Sequence, residues 1–294
     1  MKSGHYALVI CALAIACGGC GVGSRGVIVD PDAELEQAAF LARKGAHVKA
    51  AEAYAEFAER FEYDRRADFA QYKSGDEYRA AGQYAAAAEA YGKLFTDFTH
   101  SRYLTQANDH CIAMGRKMLR DGDTGGLRLL TQITYRSPYG KQSAEAHMAM
   151  ANHHYARGRF AEAKVDYEAV AVDHPHDSRA ARAALGSALC EYRQIDRPAR
   201  NVARALEAKR RFSKLRTAPL TAAEMTLVDR YLPEVINLLA ERQMLMARVH
   251  LKQGELEPAL RYLKDIIDNY RTSSYCEAAA QLVLYIQEQI EEPK

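Results

Sequence analysis

Small and large apolar residues recur along this chain at fixed intervals, and the whole pattern returns about every 34 to 40 residues. A small residue is followed by glycine after 7 positions, and by alanine, then an aromatic residue or leucine, then a large apolar residue after 12, 16 and 19 positions. The last three lie on one face of an α-helix, because their spacing follows the helical period. The four clearest copies are Ala38, Gly45, Ala50, Tyr54 and Phe57; Gly75, Gly82, Ala87, Tyr91 and Leu94; Ala151, Gly158, Ala163, Tyr167 and Val170; and Ala247, Gly254, Ala259, Leu263 and Ile266.

Each copy predicts a pair of antiparallel helices. The glycine ends the first helix, because only glycine enters the left-handed conformation without a Cβ penalty. The small residues let the two helices approach closely. No single pair can bury its apolar face alone, so neighbouring pairs must stack. The pattern therefore predicts an all-α, right-handed solenoid of stacked antiparallel helix pairs, with about five to six repeats.

Weaker copies fill the spaces between the clear ones. Gly126, Leu130 and Ile133 follow a predicted first helix from about Tyr103 to Arg120. Ala208, Phe212 and Leu215 belong to a unit that begins near Ser178 and carries an insertion at Ile195–Arg204. A long helix is predicted at Ala222–Glu241, leading into the last repeat, and an amphipathic helix at Tyr275–Glu291 is predicted to cap the stack.

The repeating pattern resembles the tetratricopeptide repeat, although the chain contains no Trp, which that repeat has near its start. The resemblance implies a solenoid whose concave face binds other polypeptides. The organisation predicted from the pattern is a signal segment at 1–20, a tether at 21–30, N-terminal helical repeats at 31–100 and a continuous helical-repeat region at 101–294.

The first residues are unlike the rest of the chain. Lys2 is followed by an uncharged run, Tyr6–Ala16, which is too short to span a bilayer and is typical of a secretory signal. Its end resembles a bacterial lipoprotein signal, which implies an acylated cysteine. Cys17 is favoured because Ala14–Ala16 precedes it, Cys20 is the alternative because Gly19 precedes it, and an ordinary cleaved signal peptide is the third interpretation.

The charge of the whole chain is nearly balanced, and one region is strongly basic. The formal net charge is +2, so nothing drives the whole chain toward nucleic acid, and no nucleic-acid partner is expected. The region 193–216 is strongly basic, and a continuous helix there would align several arginines on one stripe. This stripe is either a solvated face or a docking surface for an acidic partner loop or anionic headgroups. Its members are Arg193, Arg197, Arg200, Arg204 and Arg211.

Candidate chemistry is sparse. The chain shows no paired carboxylates, Ser–His–Asp set, phosphate loop or zinc motif, so we expect a protein that is not an enzyme and has no cofactor. His147, His153 and His154 cluster without a nearby acidic or cysteine partner in sequence, and they are interpreted as structural residues rather than metal ligands. Cys111, Cys190 and Cys276 are widely spaced inside predicted helices, so they are expected to be buried thiols rather than a disulfide.

From Gly126 onward the chain resembles BamD-like outer-membrane lipoproteins of the β-barrel assembly machinery. The resemblance is carried by the order of five features: Leu129–Gly140, the repeat ending at Pro175, the interrupted unit before Phe212–Leu215, the helix through Leu239–Glu241, and the Gly254 repeat. It implies a lipid-anchored scaffold on the outer membrane, facing the periplasm. The implied partners are a barrel-inserting protein, other assembly lipoproteins and unfolded outer-membrane proteins.

Under that resemblance a partner would bind the concave face, for which the polar candidates are Gln71, Tyr78, His147 and Asn152. Two other functions stay open. The first is a tetratricopeptide lipoprotein for pilus or secretin assembly, or for coordinating the cell envelope at division. The second is a fragment of a cell-wall lytic enzyme, which would need a catalytic domain that this sequence does not show.

Overall fold

The computed structural model describes residues 30–195 and 202–291, and in these ranges it contains thirteen α-helices and no strand. The all-α prediction is therefore confirmed. The predicted signal segment with Cys17 and Cys20, and two arginines of the predicted stripe, Arg197 and Arg200, lie outside the described residues. The helices are α1 Pro31–Arg43, α2 His47–Arg60, α3 Ala67–Ala80, α4 Tyr84–Asp97, α5 Leu104–Arg120, α6 Gly125–Arg136, α7 Lys141–Ala156, α8 Phe160–Asp173, α9 Ala180–Arg193, α10 Val202–Leu215, α11 Ala222–Lys252, α12 Leu256–Asn269 and α13 Cys276–Glu291.

The helices form six consecutive pairs, α1/α2 to α11/α12, and α13 packs on the last one. The odd-numbered helices are the first helices of the pairs, and the even-numbered ones are the second helices. First helices also contact one another, α3 with α5, α5 with α7 and α9 with α11, whereas second helices make at most sparse mutual contacts. The first helices therefore form the inner, concave layer of a tetratricopeptide-like solenoid.

The turns inside the pairs follow the sequence prediction. Gly45, Gly82, Gly158 and Gly254 all have positive φ, between 72° and 77°, directly after a first helix. Gly122 does the same in the degenerate α5/α6 pair, with φ 87°. An L-residue with a side chain is disfavoured in this conformation, so glycine at these positions fixes where each first helix ends.

The core consists of the residues at the fixed intervals. Ala50, Ala87, Ala163 and Ala259 have no exposed surface. Most of the large side chains that follow them have none either, namely Phe57, Tyr91, Leu94, Val170, Leu263 and Ile266, and the remaining two, Tyr54 and Tyr167, are nearly buried. In the α5/α6 pair Gly126 replaces the alanine. A Cβ built on it would lie 2.5 Å from the backbone oxygen of Gly115, so these two helices cross too closely for any side chain.

One predicted boundary is wrong. The helix expected at Ala222–Glu241 continues to Lys252 and is itself the first helix of the last pair. Pro233 lies inside it without ending it. The N-terminal half is held by burial of Val228 and Val235 in the core and by a reciprocal cap between Thr221 and Glu224.

The last helix of the described ranges is the predicted amphipathic helix, α13, whose Ile286 is fully buried. Among the described residues, every helix is too short or too polar to span a lipid bilayer.

Candidate functional site

A groove of about 530 Å³ crosses the concave face between α5, α7 and α9. Three successive first helices line it, so a ligand there would contact three repeats at once. Its lining residues are Arg116, Leu119, Arg120, Glu145, Met148, Ala149, Asn152, His153, Ala156, Arg157, Arg179 and Arg182. We refer to this surface as the basic groove.

The helical period of α7 explains its floor. The lining residues of α7 stand at positions 145, 148, 149, 152, 153 and 156, which recur with the helical period, so they form one face of the helix. Met148, Ala149 and Ala156 on this face are apolar, and Asn152 is the polar group between them. The floor therefore offers apolar surface while the rim carries charge.

The rim is strongly cationic. The Glu145 carboxylate accepts hydrogen bonds from Arg116 at 3.0 Å and from Arg179 at 3.2 Å, which links three repeats. Arg182 forms an ion pair with Glu224 at 2.9 Å. Within the described part of the chain, the other two rim arginines, Arg120 and Arg157, are exposed and form no ion pair. The groove thus keeps a positive excess, although the whole chain carries a net charge of only +2.

Arg179 is fixed from its own turn as well. Asp177 accepts hydrogen bonds from the backbone N–H of Arg179 at 2.9 Å and from its Nε at 2.8 Å. These bonds lower the pKa of Asp177 to about 2. Asp64 and Arg66 repeat the arrangement at the other end of the array, where Arg66 reaches Asp32 of α1. The turn before a first helix can therefore fasten that repeat to the preceding one.

His153 is the histidine that lines the groove. Its pKa is lowered, first because burial removes solvent from the ring and then because of the charges of Arg157 and Arg159 and the neighbouring His154. The neutral imidazole adds no charge to the rim, and its Nε2 atom is buried with no hydrogen-bond partner among the described residues. The cationic character of the groove therefore comes from its arginines.

The structure brings only one of the four predicted concave residues into the groove. Asn152 lines it, and its Oδ1 accepts a 2.7 Å hydrogen bond from the hydroxyl of Tyr167. Gln71 is buried and donates from Nε2 to the carbonyl oxygen of Ala90 at 2.8 Å. Tyr78 lies beside Gln71 in a separate crevice of about 150 Å³ between α2, α3 and α4.

His147, the fourth predicted residue, points to its own pair. Its Nδ1 lies 2.9 Å from the Asp166 carboxylate on α8, and the Nε2 atom of His154 lies 3.9 Å from the same carboxylate. The expectation that no acidic partner stands beside these histidines is therefore wrong, because α8 supplies one. Within the described ranges, no group of three or more His, Cys, Asp or Glu side chains is arranged to hold a metal ion.

The predicted arginine stripe does not lie on one helix. Arg193 is the last residue of α9, whereas Arg204 and Arg211 belong to α10. Arg204 donates to the nearly buried Glu191 at 3.4 Å, and Arg211 forms ion pairs with Glu168 and Glu207, each at 2.6 Å. The continuous stripe is therefore wrong for the described members, because α9 ends before α10 begins. A docking role for these arginines stays a prediction.

Arg193 also has partners within the chain. Its Nη2 atom lies 3.5 Å from the Tyr231 hydroxyl, and its guanidinium lies over the Tyr231 ring at 6.0 Å from the ring centroid.

The three cysteines of the described helices are free thiols, as expected. Cys111 and Cys190 are buried, and removal from solvent raises the pKa of each to about 12. Cys276 is only partly buried, so the expectation of full burial is wrong for this residue. It is the first residue of α13, at the edge of the terminal helix.

Sequence reasoning missed the arginines of the groove. Arg116 and Arg120 stand one and five positions after Gly115, as Asn152 and Ala156 stand after Ala151. These positions face the concave side on neighbouring first helices, so the spacing was a signal that could have identified them. The other rim arginines, Arg157, Arg179 and Arg182, come from a turn and from the next repeat.

Paired helices with a glycine turn and a fixed set of core positions define an all-α solenoid of the tetratricopeptide-like kind. Residues 243–273 match the family model for the tetratricopeptide repeat, which covers the end of α11, all of α12 and the turn that follows. A crystal structure of a tetratricopeptide repeat protein from Parabacteroides merdae is similar at 15% identity and a TM-score of 0.36, covering 87% of this chain and 98% of that one. No curated protein matches the sequence.

Proposed function

We propose that this protein is a non-catalytic scaffold that holds extended polypeptide segments in its basic groove during assembly of outer-membrane β-barrel proteins. The groove is the observation that carries the proposal. The finer role rests on the BamD-like order of repeats from Gly126 onward and on the lipoprotein-like start of the sequence. Acylation at Cys17, or alternatively at Cys20, would anchor the array to the outer membrane, facing the periplasm.

The dimensions of the groove suit an extended segment. Packed helices lie about 10 Å apart, so three adjacent first helices span about 20 Å, the length of about six extended residues. The apolar floor from Met148, Ala149 and Ala156 supplies contact area, and the polar rim fixes the orientation. Such a site would hold a short stretch of an unfolded outer-membrane protein or of an assembly partner.

In vivo photo-crosslinking tests this function. A photoreactive residue replaces the exposed, groove-lining Ala156, and a matched control replaces Val172, which is 71% exposed on the second helix α8. We expect the Ala156 probe, but not the Val172 probe, to capture a barrel-inserting protein or unfolded outer-membrane proteins.

Mass spectrometry of the mature N-terminus tests the lipid anchor separately and should show an acylated cysteine.

Two results would contradict the proposal. One is equal crosslinking from both positions. The other is a mature protein without fatty acid, recovered from the cytosol. Capture of a secretin or pilus component by the Ala156 probe, with localisation at a pole or septum, would instead support the pilus, secretin or division role and overturn the barrel-assembly assignment.

A further inference from the structure

We infer that the basic groove selects an acidic polypeptide segment, and that Arg120 and Arg157 are the side chains that pair with its carboxylates. This inference rests on the proposed function, in that it takes the groove to be a polypeptide-binding site. It adds the chemical class of the ligand and names the residues that bind it.

The pairing pattern of the rim separates these two arginines from the rest. Arg116 and Arg179 are bound to Glu145, and Arg182 to Glu224. Among the residues that the structure describes, Arg120 and Arg157 are exposed and engage no acidic side chain. Their guanidinium groups can donate hydrogen bonds to a carboxylate of a ligand without breaking an existing ion pair.

Their positions suit a single ligand. Arg120 is the last residue of α5, and Arg157 directly follows α7, so both stand at the same end of neighbouring first helices. Each guanidinium can donate two parallel hydrogen bonds to a carboxylate, a geometry that favours arginine over lysine. A segment crossing from α5 to α7 would meet both in turn.

The rest of the lining favours acidic polypeptide over other anions. No Phe, Tyr or Trp lines the groove, so it lacks the stacking surfaces that single-stranded nucleic acid uses. The apolar floor suits the side chains that lie between acidic residues in an extended segment. The charges of the three fixed arginines are balanced by Glu145, Asp177 and Glu224, so the unpaired Arg120 and Arg157 are the charges that repel a basic segment and add selectivity against it.

Fluorescence anisotropy with the full chain tests this inference. The probe is a fluorescein-labelled peptide of alternating glutamate and serine, and the control peptide has glutamine in place of glutamate. We expect the glutamate peptide to bind, more weakly as salt rises, and the glutamine peptide to bind at least about tenfold more weakly. The double variant R120Q/R157Q should weaken binding of the glutamate peptide by about 5- to 30-fold.

The matched control variant is R128Q/R261Q. It removes the same charge from two exposed arginines on the second helices α6 and α12, and neither has an ion-pair partner in the described ranges. Its affinity for the glutamate peptide should stay within about twofold of the wild type. Circular dichroism and thermal unfolding should show that both double variants fold like the parent, because all four side chains are exposed.

Several results would overturn the inference: equal binding of the two peptides, an equal loss in both double variants, or no loss in R120Q/R157Q. Binding of phosphatidylglycerol vesicles through Arg120 and Arg157, without binding of the glutamate peptide, would also overturn it in favour of a lipid headgroup. If the Ala156 probe captures an assembly partner while the acidic peptide fails to bind, only the ligand chemistry is refuted. If the peptide binds but the probe captures no partner, the barrel-assembly role is refuted and the groove chemistry stands.

Discussion

Replacing Gly126 by alanine tests whether close approach of α5 and α6 sets the packing of the central repeat. A Cβ on Gly126 would lie 2.5 Å from the backbone oxygen of Gly115, 3.0 Å from Cγ of Leu119 and 3.1 Å from Cβ of Met118. A backbone oxygen cannot rotate away, so α6 must shift against α5.

The expected loss follows from two opposing effects. Overpacking of a close-packed core lowers the free energy of unfolding by about 1–3 kcal/mol. The higher helix propensity of alanine raises it by at most about 1 kcal/mol. Because the closest contact is with backbone, we expect Gly126→Ala to lower the free energy of unfolding by about 1–2 kcal/mol. Gly92→Ala is the matched control, since a Cβ at this position in α4 meets no atom within 4 Å. It should raise stability by about 0.4–1 kcal/mol.

Urea unfolding, followed by circular dichroism, measures both variants. Stacked repeats can unfold in steps, so the midpoints are comparable only where the slopes of the transitions agree. A Gly126→Ala variant as stable as the parent chain, or stabilised as much as Gly92→Ala, would show that α5 and α6 do not need this close approach.

Two further predictions concern ion pairs, one within the turn before α9 and one that joins α8, α9 and α10. Asp177, whose pKa is lowered to about 2 by Arg179, contributes stability that is present above its unfolded pKa and is lost as the pH falls through about 2. Asp177→Asn should therefore flatten the fall in stability between about pH 5 and pH 2, and profiles that stay parallel in an acid titration of urea midpoints would contradict this. The nearly buried Glu191 accepts from Lys164 and Arg204, so Glu191→Gln should cost about 1–3 kcal/mol in the same unfolding assay, and an unchanged midpoint would show that this network is not stabilising.

The local parts of the fold could be predicted from the sequence, because each turn and core position depends on residues close by in the chain. Gly158, Ala163 and Tyr167 are an example, since backbone conformation and helical period determine all three roles. The end of the long helix α11 was harder to predict. Burial of Val228 and Val235 outweighs the hydrogen bond lost at Pro233, and burial depends on which helices pack together.

The site was less predictable than the fold, because it depends on how the repeats stack. His147 was expected on the concave face but contacts Asp166 of α8, and this contact depends on how α7 and α8 pack together. Arg120 and Arg157 are 37 residues apart in sequence, and only the contact between α5 and α7 makes them neighbours on one rim. The spacing of the repeats in the sequence identified the helices, but it did not show which arginines of the groove form ion pairs and which do not.

Hydrogen–deuterium exchange on the full chain, with and without the glutamate peptide, shows directly which helices form the binding face. We expect slower exchange in α5, α7 and α9, concentrated at the ends of α5 and α7 that carry Arg120 and Arg157, and no change in α6 or α12. Protection confined to second helices, or spread evenly along the array, would contradict the claim that the first helices form the binding face.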